Sequence, residues 1–349
     1  MTQKYASILV ALFSLLTLNS CYRGAEEVGD DPFGNYDALW TLIDEHYCYL
    51  DYKGIDWDAL GAKYRKRLSV GMPPKGLFEV MDSLLLNLRD GHVNLYAAHN
   101  VSRYDFWSDY PRNFYEFLLE EERYLGNHYK QASGLQYRVF PDNIGYVRYS
   151  SFSAGMGEGN ISEVLADLAL CDGLILDVRH NSGGNADYAK RLASRFTNER
   201  VLVSYIYHKT GPGHSDFSEP YPVYLEPSPN IRWQKPVVVL ANRHTYSAAN
   251  DFVCQMKSLP LVTILGDTTG GGGGLPFTSE LPNGWLVRFS ASPILDADKH
   301  HTEWGIAPDI HLDLDADDVA QGLDTHIEKA REILKNEKIK MQNLHNSQK

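Results

Sequence analysis

Apolar positions recur at helical spacing in the first part of the chain and in short strand-like runs after it. Leu39, Leu42, Ile43 and Tyr47 share one face of a helix expected over residues 37–49. The same period predicts helices over 56–68 and 76–88, with Pro73-Pro74 between them and Gly91 as a C-cap beyond. Residues 93–96 alternate as a strand does. From Leu135 the pattern changes. Residues 135–140 and 144–149 read as a hairpin about Pro141-Asp142-Asn143. Strands are expected at 174–178, 201–207, 237–241, 261–265 and 285–290. Helices are expected at 160–170, 186–197, from Ala248 onward, and as one amphipathic stretch over 317–338. Strands and helices in turn imply an α/β fold, a mixed sheet with covering helices, preceded by a small helical domain.

The N-terminus follows a different rule. Lys4 precedes an apolar run over 8–18, too short for a bilayer span of about 20 residues and typical of an export signal. It ends in Leu18-Asn19-Ser20-Cys21, which resembles a bacterial lipobox in which Cys21 is acylated and becomes the new N-terminus. An ordinary secretory signal is the alternative. The division expected is a signal at 1–20, a tether at 21–34, a helical domain at 35–125, a catalytic core at 126–340 and a loose tail at 341–349. Acyl chains at Cys21 would hold the protein on a membrane of the bacterial cell envelope, facing the periplasm or the surface.

A net charge of −12 without a basic cluster argues against a nucleic-acid partner. Beyond Cys21 only Cys48, Cys171 and Cys254 remain, and three thiols cannot all pair within one chain. Cys171 and Cys254 sit among apolar residues, as packed core cysteines do. No Cys-x-x-Cys spacing points to zinc, and neither cofactor nor metal is expected.

The candidate chemistry lies at two strand ends. The apolar run 236–242 enters a turn and then Thr245-Tyr246-Ser247-Ala248-Ala249, which sets Ser247 between a strand end and a helix N-terminus. There a nucleophile is exposed beside backbone N–H groups. Upstream, 174–178 enters a turn ending in Gly183-Gly184. Two such segments can build a serine site with an oxyanion pocket, which points to a serine hydrolase acting on a protein or peptide. Ser247 lacks the Gly-x-Ser-x-Gly elbow of α/β-hydrolase esterases. The run 270–274 is not a phosphate loop, since no Lys-Ser/Thr follows. It reads as a mobile substrate-binding loop or a spacer.

Four segments in order carry a resemblance: Asp177-Val178-Arg179-His180-Asn181-Ser182-Gly183-Gly184, Thr245 to Ala249, Gly266-Asp267-Thr268-Thr269-Gly270-Gly271, and Gly305-Ile306-Ala307-Pro308-Asp309. They resemble the C-terminal processing (tail-specific) serine peptidases, tricorn core included. The resemblance covers about residues 37 to 335 and implies a crotonase-like or ClpP-like core. The family's dyad lysine should follow the third motif, where this chain has only glycines. The tricorn-like branch instead uses a histidine ahead of the core, which implies His92 as base. Histidine suits that role because its ordinary pKa lies near neutrality.

Departures follow. Gly91 stands where that branch has a serine. Glu303, the implied orienter or tuner of the base, is one residue nearer Gly305 than the pattern, so Thr302, His300 and His301 are substitutes. Asp298, His300, His301 and Glu303 are set aside as a metal set, because adjacent histidines in a polar loop are ordinarily just solvated. The resemblance also implies backbone N–H groups of Gly183 and Ala248 as the oxyanion pocket, and Gly184, Gly270 and Gly271 against the substrate. Asp177, Arg179 and Asn181 would brace the turn, and Pro308 with Asp309 would be structural. Roughly 40 residues separate His92 from Leu135, too few for a PDZ domain. The expected activity is a serine endopeptidase acting on exposed or unfolded polypeptide. The alternatives are a non-catalytic module binding a peptide or apolar ligand on the same fold, and a hydrolase of non-peptide substrates.

Overall fold

The computed structural model describes residues 29–105 and 109–347. The expected export signal with Cys21, and the aromatic pair Phe106-Trp107, lie outside them. Helix α1 (Pro32–His46) starts where Asp31 accepts the N–H groups of Phe33 and Gly34, with Pro32 at a position that needs no donor. Asp56 caps α2 (Trp57–Arg65) in the same way. Helix α3 (Pro74–Leu85) tightens into a 3₁₀ turn (Leu86–Leu88) and ends at Arg89, which is left-handed at φ 47°. Strands β1 (Asn94–Ala97) and β2 (Asn100–Val101) and the short helix α4 (Glu116–Leu119) follow. The rest alternates: β3 (Lys130–Ala132), β4 (Leu135–Val139), β5 (Ile144–Tyr149), α5 (Glu158–Asp167), β6 (Gly173–Asp177), α6 (Ala186–Ala193), β7 (Val201–Ile206), β8 (Tyr221–Leu225), β9 (Val237–Ala241), α7 (Ala248–Lys257), β10 (Val262–Gly266), β11 (Gly274–Glu280), β12 (Leu286–Asp296), β13 (Ile310–His311), α8 (Ala316–Ala320) and α9 (Thr325–Ser347).

Two sheets organise these elements. The larger has the order β13-β10-β9-β6-β5-β4-β3. Its strands from β13 to β5 are parallel, and β4 and β3 are antiparallel to their neighbours. The parallel strands β5, β6 and β9 are buried throughout, as expected of strands covered on both faces. One face packs on α5, α6 and α7 through residues such as Leu165, Leu192 and Phe252. The other packs on α9 and on Phe114, Leu119, Tyr124 and Leu125. The second sheet is antiparallel, in the order β2-β1-β12-β7-β8 with β11 also on β12. Here Asn94 of β1 stands opposite Arg288 of β12, so the segment after His92 is hydrogen-bonded into the C-terminal half. The core of helices α1 to α3 likewise includes Leu281, Val287 and Phe289.

Some expectations are corrected. The helix expected over 317–338 is two helices, broken at Gly322 with φ 69° and restarted where Asp324 accepts the N–H groups of His326 and Ile327. Helix α9 continues to Ser347, into the segment expected to be loose, because no Gly or Pro interrupts it. Strand β12 runs on to Asp296, beyond the expected end at residue 290, and β3, β8 and β11 were not anticipated. Cys48, Cys171 and Cys254 are buried free thiols.

Candidate active site

Parallel strands β6 and β9 are neighbours, so the turns that leave them lie side by side at their carboxyl ends, where open α/β sheets carry their sites. Side chains and backbone bind the two turns together. The Thr245 hydroxyl donates to the Val178 carbonyl at 2.9 Å, and the Tyr246 N–H donates to the Asn181 carbonyl at 3.0 Å. Ser247 follows with φ 57° and ψ −123°, a conformation that L residues avoid. Such a position costs about 1–3 kcal/mol and persists only where its surroundings enforce it. The enforcement comes from the glycine run: the Ser247 N–H donates to the Gly271 carbonyl at 2.9 Å, and the Gly270 N–H to the Thr245 carbonyl at 2.8 Å.

The run 270–274 is therefore neither a mobile loop nor a spacer. It is buried, with the Gly272 N–H on the Glu303 carbonyl and the Gly273 N–H on Glu303 Oε2 at 3.1 Å. A side chain at Gly271 would run into the Glu303 backbone, and one at Gly273 into Thr302. The glycines allow this close packing; Gly270 lines a neighbouring cavity with Gly91, Tyr246 and Gly272, and Gly271 holds the Ser247 N–H on its carbonyl. Of the three glycines expected against substrate, Gly184 lines the groove that holds Ser247.

His92 arrives from the opposite side, on the loop between α3 and β1. Its Nε2 lies 2.9 Å from Ser247 Oγ. The ring packs on Tyr246 at 5.0 Å between centroids. Asp90 fixes the loop by accepting the His92 backbone N–H on Oδ1 at 2.8 Å. Its Oδ2 accepts the hydroxyls of Tyr47 at 3.0 Å and Ser290 at 2.9 Å. Burial pushes the imidazole down to about 4, against the opposing charge of Asp90, so the ring is neutral at neutral pH and its Nε2 is able to accept a proton. His92 Nδ1 is buried with no side-chain partner among the described residues, and the backbone of Gly274 is the group beside the ring that favours its charged form.

Glu303 is not against the imidazole. Its Oε1 meets Lys53 Nζ at 2.6 Å and its Oε2 takes the Gly273 N–H. Lys53 also donates to the carbonyls of Leu88 and Arg89, and lies 3.8 Å from Asp90. Burial first, then the charge of Asp90, push the Glu303 carboxyl up to about 8, Lys53 notwithstanding. Lys53, Asp90 and Glu303 form one buried cluster that links the His92 loop to the glycine run. Sequence reasoning missed Lys53, which sits in an ordinary Tyr-Lys-Gly turn, and gave Asp90 no role of its own. Of the substitutes for Glu303, Thr302 donates its hydroxyl to the Ile294 carbonyl, His301 packs on Tyr52, and His300 lies by Asp296.

The Ala248 N–H opens α7 beside Ser247 and has no acceptor among the described residues. The Gly183 N–H donates to Asn181 Oδ1 at 2.9 Å, so it is engaged rather than open. Gly183 has φ 94°, and a Cβ there would come within 2.8 Å of both Ala248 N and Ser247 Cβ. Groove residues include Asn94, Tyr96, Arg103, Ser153 and Arg288, around a volume of about 580 Å³. Beneath the turn, Asp177, Arg179, Arg148 and Asp324 form a second buried ionic cluster.

A serine hydroxyl on a strained corner, hydrogen-bonded to a neutral imidazole and flanked by an open backbone N–H, is the equipment of covalent acyl transfer. The sequence comparisons agree in class. The model of peptidase family S41 matches residues 143–312, and that of the tricorn protease C1 domain matches residues 31–85. The chain belongs to peptidase family S41. A solved structure of a candidate peptidase from Parabacteroides merdae is 49% identical, covers 88% of this chain and 97% of its own, and superposes with a TM-score of 0.83. The D1 C-terminal processing protease of photosystem II shares the fold at 15% identity over 81% of this chain and 93% of its own, with a TM-score of 0.53. The carboxy-terminal processing protease CtpA of Bacillus subtilis is 26% identical over 179 residues, 50% of this chain and 36% of that protein. The chain thus spans about a third of the length of the curated processing proteases that it matches.

Proposed function

We propose that this S41 peptidase is a serine endopeptidase cutting exposed or unfolded polypeptide, with Ser247 as nucleophile and His92 as general base. One observation carries the reading, the 2.9 Å contact between His92 Nε2 and Ser247 Oγ. His92 takes the hydroxyl proton as Oγ attacks the scissile carbonyl carbon. The oxyanion forms beside the Ala248 N–H. Gly183 supplies a second donor by exchanging Asn181 Oδ1 for the charged oxygen, since an oxyanion is the stronger acceptor. His92 then returns the proton to the leaving amine, and water activated by the same imidazole hydrolyses the acyl-enzyme.

The imidazolium formed on the way is stabilised by the charge of buried Asp90, the largest influence that raises the His92 pKa. Glu303 acts at one remove, with Lys53, as a positioning residue. The names of the processing proteases that the chain matches support a polypeptide substrate. The net charge of −12 supports the absence of a nucleic-acid partner. The lipobox at Cys21 supports anchorage to the bacterial envelope, and radiolabelled palmitate incorporation lost in Cys21→Ala tests it.

The activity is tested by mass spectrometry of a denatured-protein peptide pool incubated with wild type, Ser247→Ala and His92→Ala. The expected result is cleavage by wild type alone. Cleavage surviving in Ser247→Ala would remove the nucleophile, and cleavage surviving in His92→Ala would remove the base. Failure of the folded wild type to cut a broad pool would return the molecule to the binding-module reading.

A further inference from the structure

Ser247 and His92 stand between two cavities. One is the groove. The other is a smaller pocket of about 110 Å³, and the residues common to both are His92, Gly184, Ser247 and Arg288. The pocket therefore opens beside the nucleophile. Its interior is lined by small or apolar groups and three polar side chains, Asn250, Asp251 and Thr302.

Two of the three are satisfied. Asn250 Nδ2 donates to the Thr302 carbonyl at 3.3 Å and its Oδ1 accepts the Thr269 hydroxyl. The Thr302 hydroxyl donates to the Ile294 carbonyl at 3.0 Å. Asp251 differs. Its Oδ2 accepts only Gln255 Nε2 at 2.8 Å, Oδ1 has no donor, and no cation lies within ion-pair distance among the described residues. Burial pushes this carboxyl up to about 6, with Gln255 and then Lys190 of α6 acting in the opposite direction, and Arg288 at the mouth does not register on it. At neutral pH the group is thus mostly a carboxylate without a counter-ion. Asp251 is half-buried, and an ammonium or guanidinium entering the pocket would give its carboxylate the counter-ion it lacks, through charge-assisted bonds. Length agrees. Asp251 is one helical turn beyond Ser247, its N–H on the Ser247 carbonyl at 2.9 Å. One turn is about 5.4 Å of rise, the reach of a long side chain.

We propose that this pocket receives a lysine or arginine side chain from the substrate residue next to the scissile bond, and that Asp251 selects it. The position beside the scissile bond rests on Ser247 being the nucleophile. Neutral side chains leave the carboxylate unpaired, and acidic ones are repelled.

Two measurements test the proposal. Cleavage sites mapped in the peptide pool should be enriched in Lys or Arg next to the cut. In Asp251→Asn that enrichment should vanish, with the ratio of kcat/KM for a lysine peptide to that for its methionine analogue down about 100-fold. Titration with n-butylguanidinium, followed by NMR, needs no catalysis. Wild type and Ser247→Ala should bind it, and Asp251→Asn should not. Cleavage without basic preference overturns the proposal, as does failure of wild type to bind n-butylguanidinium or equal binding by Asp251→Asn. If nothing is cut at all, the peptidase reading falls, and the n-butylguanidinium titration alone decides whether the pocket takes a cation.

Discussion

The two buried charge clusters that flank the Ser247 corner are built on opposite terms. Beneath the turn after β6, Asp177 and Asp324 face Arg179 and Arg148, two anions against two cations. Arg179 Nη1 meets both oxygens of Asp324 at 2.9 Å, and Tyr146 donates to Asp177 at 2.7 Å. Burial alone would raise the Asp177 carboxyl, but Arg179 and Arg148 hold it well below the usual carboxylate range. Behind His92, a single Lys53 serves two carboxylates. Burial raises Glu303 there to about 8, while Asp90 stays low because Lys53, His92 and its hydrogen-bond donors together outweigh its burial. The balanced cluster is a brace. The unbalanced one holds an extra proton at neutral pH, and it holds the loop that carries His92.

Removing Arg179 should therefore have the largest effect on the fold. Arg179→Ala strands Asp177 and Asp324 as buried charges and should cost about 3–5 kcal/mol. Lys53→Met should cost less, because Glu303 already favours its neutral form, while lowering kcat/KM through the His92 loop. Urea unfolding of both variants checks the contrast, and equal losses would break it.

The oxyanion side comes next. Gly183→Ala forces a Cβ toward Ala248 N and Ser247 Cβ at 2.8 Å. It should lower kcat about 100- to 1000-fold, the usual loss of one oxyanion donor, with KM little changed. A full-rate Gly183→Ala enzyme would show that the 178–184 turn only braces and offers no donor.

The fold was legible where local pattern decides. The buried runs at 174–178 and 237–241, the helix start at Ala248 and the hairpin about Asn143 all read directly from apolar runs and turn residues. Strand β11 was not legible, because Leu275-Pro276-Phe277-Thr278-Ser279 has weak alternation, contains a proline and pairs only with β12. The role of 270–274 was hidden for a related reason. Glycines chosen for flexibility and glycines chosen for tight packing look alike in sequence, and only the approach of Glu303 and Thr302 separates them. Ser247 and His92 were findable from motifs, whereas their meeting depends on Asn94 pairing with Arg288, a contact across 194 positions that no local signal records. Lys53 had no signal at all, since a buried lysine and a surface lysine differ only in what the fold brings to them.

A smaller effect reads the unbalanced cluster through the proposed base. With His92 pushed down to about 4, kcat/KM should rise through pH 4 and level off well below neutrality. Lys53 lowers the His92 pKa and Asp90 raises it. Lys53→Met should thus move the acid limb upward and Asp90→Asn should move it downward, by roughly one unit, or about 1.4 kcal/mol. A limb near 6.5 that neither variant moves would mean that the cluster does not act on the imidazole.

The smallest effect is a slope. Glu303 has a folded pKa of about 8, above its ordinary value near 4.5. The native state therefore binds more protons between those limits. The stability that this confers is complete below about 4.5 and is lost as pH rises through 8. Asp177 runs the other way: held low, it contributes stability that is present above the ordinary carboxylate pKa and is lost on acidification below it. Glu303→Gln mimics the protonated form. Its stability relative to wild type should grow between pH 5 and 8 by about 1.4 kcal/mol per pH unit at most, then stay flat. Thermal melts across that range measure the difference. Parallel curves would place Glu303 with the balanced charges, and the contrast between the two clusters would then rest on geometry alone.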